Sequence, residues 1–202
     1  APDNADLLHL LALAQRQLGH VDEAIGALER ATAIDPLRAA LHFNLGQAYA
    51  AVGRQADAIA SLERALAIDP AHARARFDLA CLDRAAGNVE RAEQALRHAL
   101  THDPADARVH NELAATLLDR GRPDLALPVL KAGLVLAPAL AVLHGNLGNA
   151  LRDIGRPAQA IAAYDRAIAL APGHVEIALN RAHALLRAGR VGEGFAAYEV
   201  RL

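Results

Sequence analysis

Histidine and cysteine are the residues whose types could carry chemistry in this chain, which has ten histidines and a single cysteine, Cys81. His98 and His102 stand four residues apart, a spacing at which two side chains on one helix face can bind the same metal ion. No third or fourth ligand of suitable placement accompanies them. We therefore interpret them as solvent-exposed residues near a helix end, where a positive charge is favoured.

Three other histidines, His42, His110 and His144, stand at equivalent positions of a repeat. Equivalent side chains on successive helices lie about 10 Å apart, roughly one helix diameter, so we interpret them as packing residues rather than as zinc ligands. Cys81 has no histidine in phase with it that could activate its thiol, and we interpret it as a small apolar side chain in the protein interior.

The run Gly145-Asn146-Leu147-Gly148 is similar to part of a phosphate-binding loop. Such a loop follows a strand, and no strand pattern precedes this run, so we assign its glycines to helix packing. The sequence predicts no catalytic residue, no metal site and no cofactor, and we do not expect this chain to be an enzyme.

Proline and glycine reveal the organisation that positions these residues. One set of prolines recurs every thirty-four residues: Pro2, Pro36, Pro70, Pro104, Pro138 and Pro172. One set of glycines follows each of those prolines by seventeen residues: Gly19, Gly53, Gly87, Gly121, Gly155 and Gly189. Proline and glycine both interrupt regular structure, so the prolines divide the chain into repeats and the glycines divide each repeat into two halves. A period of thirty-four residues is typical of a solenoid.

Apolar residues between the breakers recur at helical spacing. In one repeat they are Leu41, Leu45, Ala48 and Tyr49 before the glycine, and Ile59, Leu62, Leu66 and Ile68 after it. The period-two alternation of a strand is absent. We predict a helix, a left-handed glycine turn and a second helix in each repeat. Pro123 and Pro157 fit the first position of second helices, whereas Pro128 falls inside one and predicts a kink or altered repeat stacking there.

This hairpin resembles the tetratricopeptide repeat. The second repeat carries the residues of that pattern at Leu45, Gly46, Tyr49, Ala58, Leu62, Ala65 and Pro70, and the fifth at Leu147, Gly148, Ala160, Tyr164, Ala167 and Pro172. The resemblance implies an all-α fold, a right-handed superhelical solenoid of helix-turn-helix repeats. The repeats span 5–38, 39–72, 73–106, 107–140, 141–174 and, truncated, 175–202. Residues 1–4 would be the end of a preceding repeat or a cap, and we expect one array whose two ends continue into a longer protein.

Small residues on the first helices allow the two helices of a hairpin to approach closely: Ala12, Gly46, Ala80, Ala114, Gly148 and Ala182. Leucines fill the space between the two helices: Leu11, Leu45, Leu79, Leu113 and Leu147. Some positions depart from the pattern. Arg181 interrupts the leucine series, and Gln15 and Asp83 stand where the pattern has an aromatic residue.

Composition limits the partners. The net charge is −2 with arginines interleaved among acids, so there is no basic stripe for nucleic acid. The segment Leu125–Leu143 is apolar apart from Lys131, but Pro138 inside it is a repeat boundary, so we do not expect a membrane span. No signal peptide is visible, but this absence carries no information on location, because we expect both ends of the chain to continue into a longer protein. Separately, we expect a cytoplasmic protein.

The resemblance places the first helix of every repeat on a concave groove that binds extended peptide segments. One position there is mostly polar: Asn44, Asp78, Glu112, Asn146 and Asn180. An amide both donates and accepts hydrogen bonds, so a ladder of amides can pair with a peptide backbone. Further polar groups on the same wall are Gln47, Asn111, Asn149, Arg152, His183 and Arg187. Phe43 and Phe77, one repeat apart, either form an aromatic step for a ligand or pack against the adjacent hairpin. The acid-base pairs Glu29-Arg30, Glu63-Arg64 and Asp165-Arg166 belong to a solvated outer face.

The segments 40–46 and 141–149 resemble the groove helices of the O-GlcNAc transferase type of repeat, in which asparagines hold a peptide. Residues 192–201 resemble the last repeat before a glycosyltransferase domain in bacterial proteins. These resemblances imply a non-catalytic, peptide-binding module that recruits acceptors for a bacterial glycosyltransferase. The alternative is a structural scaffold that associates with itself, through exposed terminal repeats, or with other proteins in a complex.

Overall fold

The computed structural model describes residues 4–199, and regular structure within that range is entirely α-helical. Residues 1–3 of the segment 1–4, predicted as the end of a preceding repeat or a cap, and residues 200–201 of the C-terminal motif lie outside this range. Twelve helices follow one another: α1 (Ala5–Gln17), α2 (Val21–Ile34), α3 (Ala39–Ala51), α4 (Gln55–Ile68), α5 (Ala73–Ala85), α6 (Val89–His102), α7 (Ala107–Asp119), α8 (Pro123–Leu136), α9 (Ala141–Asp153), α10 (Pro157–Leu170), α11 (Val175–Arg187) and α12 (Val191–Glu199). The predicted fold class, an all-α repeat solenoid, is confirmed.

The six glycine turns have one conformation. All six phased glycines have positive φ, between 65° at Gly121 and 85° at Gly87. The residue after each glycine donates its backbone N–H to a carbonyl five residues earlier, for example from Arg54 to Tyr49 at 2.9 Å. Because the left-handed conformation costs glycine least and closes the helix end, the turns form as the sequence predicts.

The helices group into two compact units, Ala1–Ala95 and Leu96–Leu202, with the boundary inside α6. In unit 1, one cluster centres on Leu28, Leu41 and Leu45, and a second contains Phe43, Leu62 and Leu79. In unit 2, Tyr164, Ile161 and Leu185 belong to one cluster. These clusters form thin layers between neighbouring helices rather than one central core.

Close approach within a hairpin occurs at the predicted small residues. Added Cβ atoms would lie 2.8 Å from Leu62 Cγ at Gly46 and 2.6 Å from Tyr164 Cδ1 at Gly148. The alanines at this position are completely buried: Ala12, Ala80, Ala114 and Ala182.

The leucine series behaves as predicted except at its first member. Leu45, Leu79 and Leu113 are buried and Leu147 is half-buried, but Leu11 is 49% exposed. This position packs against the second helix of the preceding hairpin, as Leu45 does in a cluster with Leu28 and Ala31 of α2. The prediction for Leu11 is wrong because no hairpin precedes α1 in residues 4–199.

The three phased histidines bond to the loop before their helix. His42, His110 and His144 each place Nε2 2.9 to 3.0 Å from the carbonyl oxygen of Pro36, Pro104 and Pro138. A carbonyl only accepts, so Nε2 carries the proton and donates. Arg76, at the same repeat position, donates to the Pro70 carbonyl. The position therefore gives a side-chain donor to the proline carbonyl of the loop between two hairpins.

The second helices α8 and α10 begin at Pro123 and Pro157, as predicted. Helix α8 continues through Pro128 without interruption. The kink or altered stacking at Pro128 stays a prediction. Gly133 in the same helix accommodates close neighbours, since an added Cβ would lie 3.0 Å from both His110 Cβ and Leu143 Cδ2. Within residues 4–199, no helix has the length and apolar content to span a bilayer.

We predict that Gly148→Ala lowers the free energy of unfolding by about 1–3 kcal/mol, because the new methyl group overlaps the buried Tyr164 ring. Gly192→Ala in the same unit is the control, since its Cβ would meet nothing within 4 Å. Urea unfolding followed by circular dichroism measures both variants. Equal midpoints for Gly148→Ala and the wild type would contradict the proposed contact.

Candidate functional site

Polar side chains on the first helices of unit 1 form a row across three hairpins. Arg16 on α1 donates from Nη1 and Nη2 to Gln47 Oε1 on α3, each at 3.3 Å. Gln47 Nε2 donates to Asp78 Oδ2 on α5 at 2.9 Å. The amide of Gln47 thus joins a cation to an anion, and all three side chains are half-buried.

A second contact in unit 1 joins Asn44 to α1. Asn44 Nδ2 lies 2.6 Å from His9 Nε2. Burial and the nearby Arg38 lower the pKa of His9, although Asp6 opposes the shift. The imidazole is therefore neutral near pH 7, and Nε2 can accept the amide proton.

In unit 2 the row consists of amides. Asn146 Nδ2 donates to Asn111 Oδ1 at 2.9 Å, and Asn149 Nδ2 lies 3.5 Å from Asn146 Oδ1. Asn149 Oδ1 accepts from the hydroxyl of Tyr164 at 2.8 Å. This amide row, Asn111-Asn146-Asn149, runs from α7 to α9 and is anchored to the core by a fully buried tyrosine.

Arg152 lies beside the amide row and is fixed at two points. Its Nε donates to Asp153 Oδ1 at 2.9 Å and its Nη1 to Asn180 Oδ1 at 3.2 Å. Burial opposes its charge, but the hydrogen bond to Asp153 and the neighbouring Tyr164 raise the pKa of Arg152 above its usual value. A permanent positive charge is therefore held on this face.

The predicted groove residues all lie on first helices, from α3 to α11. Asp78, Glu112, Asn146 and Asn180 are half-buried, and His183 is exposed with Nε2 2.8 Å from the Tyr198 hydroxyl. Asn44, Asp78, Asn146 and Asn180 each bond to a residue at a different repeat position of a neighbouring hairpin. Their partners are, in the same order, His9, Gln47, Asn111 and Arg152.

Phe43 does not lie on the groove surface. It is 7% exposed, belongs to the cluster between α4 and α5, and has its ring centroid 4.6 Å from that of His72. For Phe43 the structure favours packing over an aromatic step. Phe77 is half-buried on α5, so both interpretations stay open there.

Sequence reasoning missed the polar roles of three residues: Arg16 in the row of unit 1, His9 as the partner of Asn44, and Tyr164 as the partner of Asn149. Arg16 shares the repeat position of Arg152, and His9 shares that of Asn111. Their phase therefore held a signal that could have found them. Tyr164 shares its repeat position with Tyr198, whose hydroxyl lies 2.8 Å from Nε2 of His183, the equivalent of Asn149, so this pair also held a signal.

The outer acids are exposed, as predicted, and they also join successive hairpins. Glu29 accepts from the Tyr49 hydroxyl at 2.7 Å, Glu63 pairs with Arg91 at 2.9 Å, and Asp165 accepts from Arg181 Nε at 2.5 Å. Arg181, which interrupts the leucine series, thus gains an acidic partner. Arg91 also pairs with Asp83, a 1% exposed carboxylate at the aromatic position.

The features that could have indicated catalysis have other roles. No cluster of three or more metal-ligating side chains occurs in the described part of the chain. His98 and His102 are exposed with ring centroids 4.6 Å apart. Gly145 and Gly148 pack inside α9 against Ile177 and Tyr164, which confirms the rejection of a phosphate loop. Lys131 is exposed on the second helix α8.

Tyr49 and Tyr164 have hydroxyls that will ionise only at high pH. Burial, with a hydrogen bond to Glu29, raises the pKa of Tyr49 to about 12, and burial raises that of Tyr164 to about 12 although Arg152 opposes it. Because the folded state holds these protons more tightly than the unfolded chain, with its pKa of about 10, stability is full below pH 10. We expect it to fall as the pH rises from about 10 to 12.

Absorbance at 295 nm, recorded against pH in the native state and in urea, measures this difference. Tyr164→Phe is expected to remove one late-ionising group and to leave the other unchanged. Native and unfolded titrations that coincide would contradict the burial of these hydroxyls.

Comparison with known proteins identifies the family. Two sequence models of the tetratricopeptide repeat match the chain, one over residues 77–201 and one over residues 9–73. No curated protein is significantly similar in sequence.

Solved structures share the fold. A tetratricopeptide repeat protein from Parabacteroides merdae is 17% identical, with a TM-score of 0.86 over 96% of this chain and 77% of that one. The pilF protein of Pseudomonas aeruginosa is 22% identical, with a TM-score of 0.81 over 98% and 90% of the two chains. YrrB, described as having an unusual peptide-binding site, is 18% identical, with a TM-score of 0.75 over 94% and 93%. At these identities the likeness concerns the fold alone, but the matching family model spans more than half of the residues. The chain therefore belongs to the tetratricopeptide repeat family.

Proposed function

We propose that this chain is a non-catalytic module that binds extended protein or peptide segments on its first-helix faces. Tetratricopeptide repeats are typical of protein-protein interaction. YrrB has a peptide-binding site. A chain of the Cut9-Hcn1 complex has the same fold and is 18% identical, and this chain covers 39% of its length. The observation that carries the proposal is the amide row of unit 2.

The amides of this row keep hydrogen-bonding capacity for a ligand. An asparagine has two N–H groups and an oxygen with two lone pairs. Asn146 uses one N–H on Asn111 and accepts once from Asn149. Among residues 4–199, one donor and one acceptor position of Asn146 have no partner, and they match the C=O and N–H that every peptide unit offers. Recognition through these groups would tolerate many ligand sequences.

The narrower role, recruitment of acceptors for a bacterial glycosyltransferase, rests on the sequence resemblance of residues 40–46, 141–149 and 192–201. None of the similar proteins described above adds to it. This narrower role stays a proposal about a longer protein. The cytoplasmic location also stays a proposal.

We expect Asn146→Ala/Asn180→Ala to weaken capture of unstructured peptides and lysate proteins by about tenfold or more, because two amides that face the ligand are lost. Arg166→Ala, on the exposed side of α10 in the same unit, is the matched control and should bind normally. Circular dichroism confirms that both variants fold. Unchanged binding by the double variant would place recognition elsewhere and contradict the proposal.

Self-association is a second candidate function, because α1 exposes Leu7, Leu10 and Leu11. The equivalents of Leu7 in later hairpins are all buried: Leu41, Ala75, Val109, Leu143 and Ile177. An exposed apolar face of this kind marks a contact surface.

Light scattering against protein concentration tests this candidate. We expect the apparent mass of the wild type to rise with concentration and that of Leu10→Gln/Leu11→Gln to remain monomeric. A wild type that stays monomeric over the same range would remove this candidate without affecting peptide capture.

A further inference from the structure

Unit 1 contains an open cavity of about 370 Å³ beside its polar row. Gly46, Leu62 and Leu82 provide apolar lining, with Ala50 and Cys81 beside them, while Arg16, Gln47 and Asp78 supply the polar part. This volume is at the lower end of the range for ligand sites, which runs from about 300 to 1,000 Å³. The cavity is therefore large enough for one side chain of a ligand.

The cavity lies at a repeat position that has a small side chain in this hairpin and a large one in the other hairpins. The position of Ala50 is otherwise occupied by long residues: Arg16, Arg84, Leu118, Arg152 and Leu186. Only the hairpin of α3 and α4 has alanine there, and Ala50 is one of the residues that line the cavity. The same fold accommodates leucine at Leu118 and Leu186, so a leucine at this position is compatible with the hairpin.

The polar part of the lining supplies both partners that a peptide backbone needs. Arg16 offers donors, and Asp78 uses only Oδ2 on Gln47, so that Oδ1 has no hydrogen-bond partner among residues 4–199. The positive charge of Arg16 and the negative charge of Asp78 lie on either side of Gln47. The rim of the cavity therefore has no net charge and does not favour a charged ligand. No aromatic ring lines the cavity, so its walls offer alkyl contacts.

We propose that this cavity is a specificity pocket for one aliphatic side chain, of the size of valine, leucine, isoleucine or methionine, in an extended peptide segment. Asp78 Oδ1 accepts an N–H of that segment and the Arg16 guanidinium donates to a C=O, while the side chain enters between Ala50 and Cys81. This inference rests on the proposed function and adds the ligand's side-chain class to it. Burial of such a side chain is worth a tenfold or greater preference over serine, since the gain is about 1.5–3 kcal/mol.

A peptide array tests the pocket directly. The probes are acetylated and amidated nonapeptides of serine and alanine with one position varied through all residue types. We expect the wild type to favour aliphatic residues about tenfold at one position, and Ala50→Leu to lose that preference because leucine fills the cavity. Ala60→Leu, exposed on α4 and outside the lining, is the matched control and should keep it. The same preference in Ala50→Leu, or selection of charged or aromatic residues by the wild type, would overturn the inference.

The single cysteine provides a second arm that needs no peptide binding. Cys81 lines the cavity, so disulfide exchange with symmetric disulfides bearing isobutylamide or carboxyethylamide groups, in the presence of 2-mercaptoethanol, reports which group the cavity favours. Intact mass should show about tenfold more isobutyl adduct in the wild type and in Ala60→Leu, and equal adducts in Ala50→Leu.

The two arms separate the possible failures. A wild type that captures isobutyl fragments but no peptide contradicts the proposed function and the assignment of the pocket to a peptide, and it points to a small apolar ligand. A wild type that captures peptides but shows no aliphatic preference in the peptide array or in disulfide exchange agrees with the proposed function and contradicts the specificity pocket.

Discussion

The contact between the two helices of each hairpin, at a glycine or alanine on the first helix, is the constraint on which the other features depend. At Gly148 the missing side chain leaves room for the Tyr164 ring, and the same tyrosine reaches Asn149 with its hydroxyl. The core contact and the polar face are thus joined in one side chain. A larger residue at Gly148 would displace the ring and, with it, the partner that orients the amide row.

Polar residues at positions that are usually apolar are compensated by a charged partner on an adjacent helix. Asp83 is buried and pairs with Arg91, which also reaches Glu63. Arg181 takes the place of a leucine and bonds to Asp165. Pairs that are exposed contribute little to stability in water, but a buried carboxylate without its arginine would be costly. These substitutions therefore occur together with their partners.

The two units carry different chemistry on equivalent helix faces. In unit 1 the row contains a cation and an anion joined by Gln47, next to a cavity, whereas in unit 2 it contains amides and the fixed charge of Arg152. Amides suit a backbone of any sequence, while a cavity discriminates by side-chain volume and polarity. One fold thus presents amides in one unit and a cavity in the other, and these are the two surfaces on which the proposed tolerant and selective recognition depend.

Much of the fold follows from the sequence, because turns and helices depend on nearby residues. Local sterics determine the left-handed glycine turns and the helix starts at Pro123 and Pro157. The recurrence of these residues in the sequence sets the period of thirty-four residues. The burial of Phe43, the exposure of Leu11 and the partners of each asparagine were decided only by tertiary structure. The cavity beside Ala50 was decided in the same way. The physical reason is that these features depend on which side chain of the neighbouring hairpin fills the adjacent space, and a repeat position by itself does not specify that neighbour.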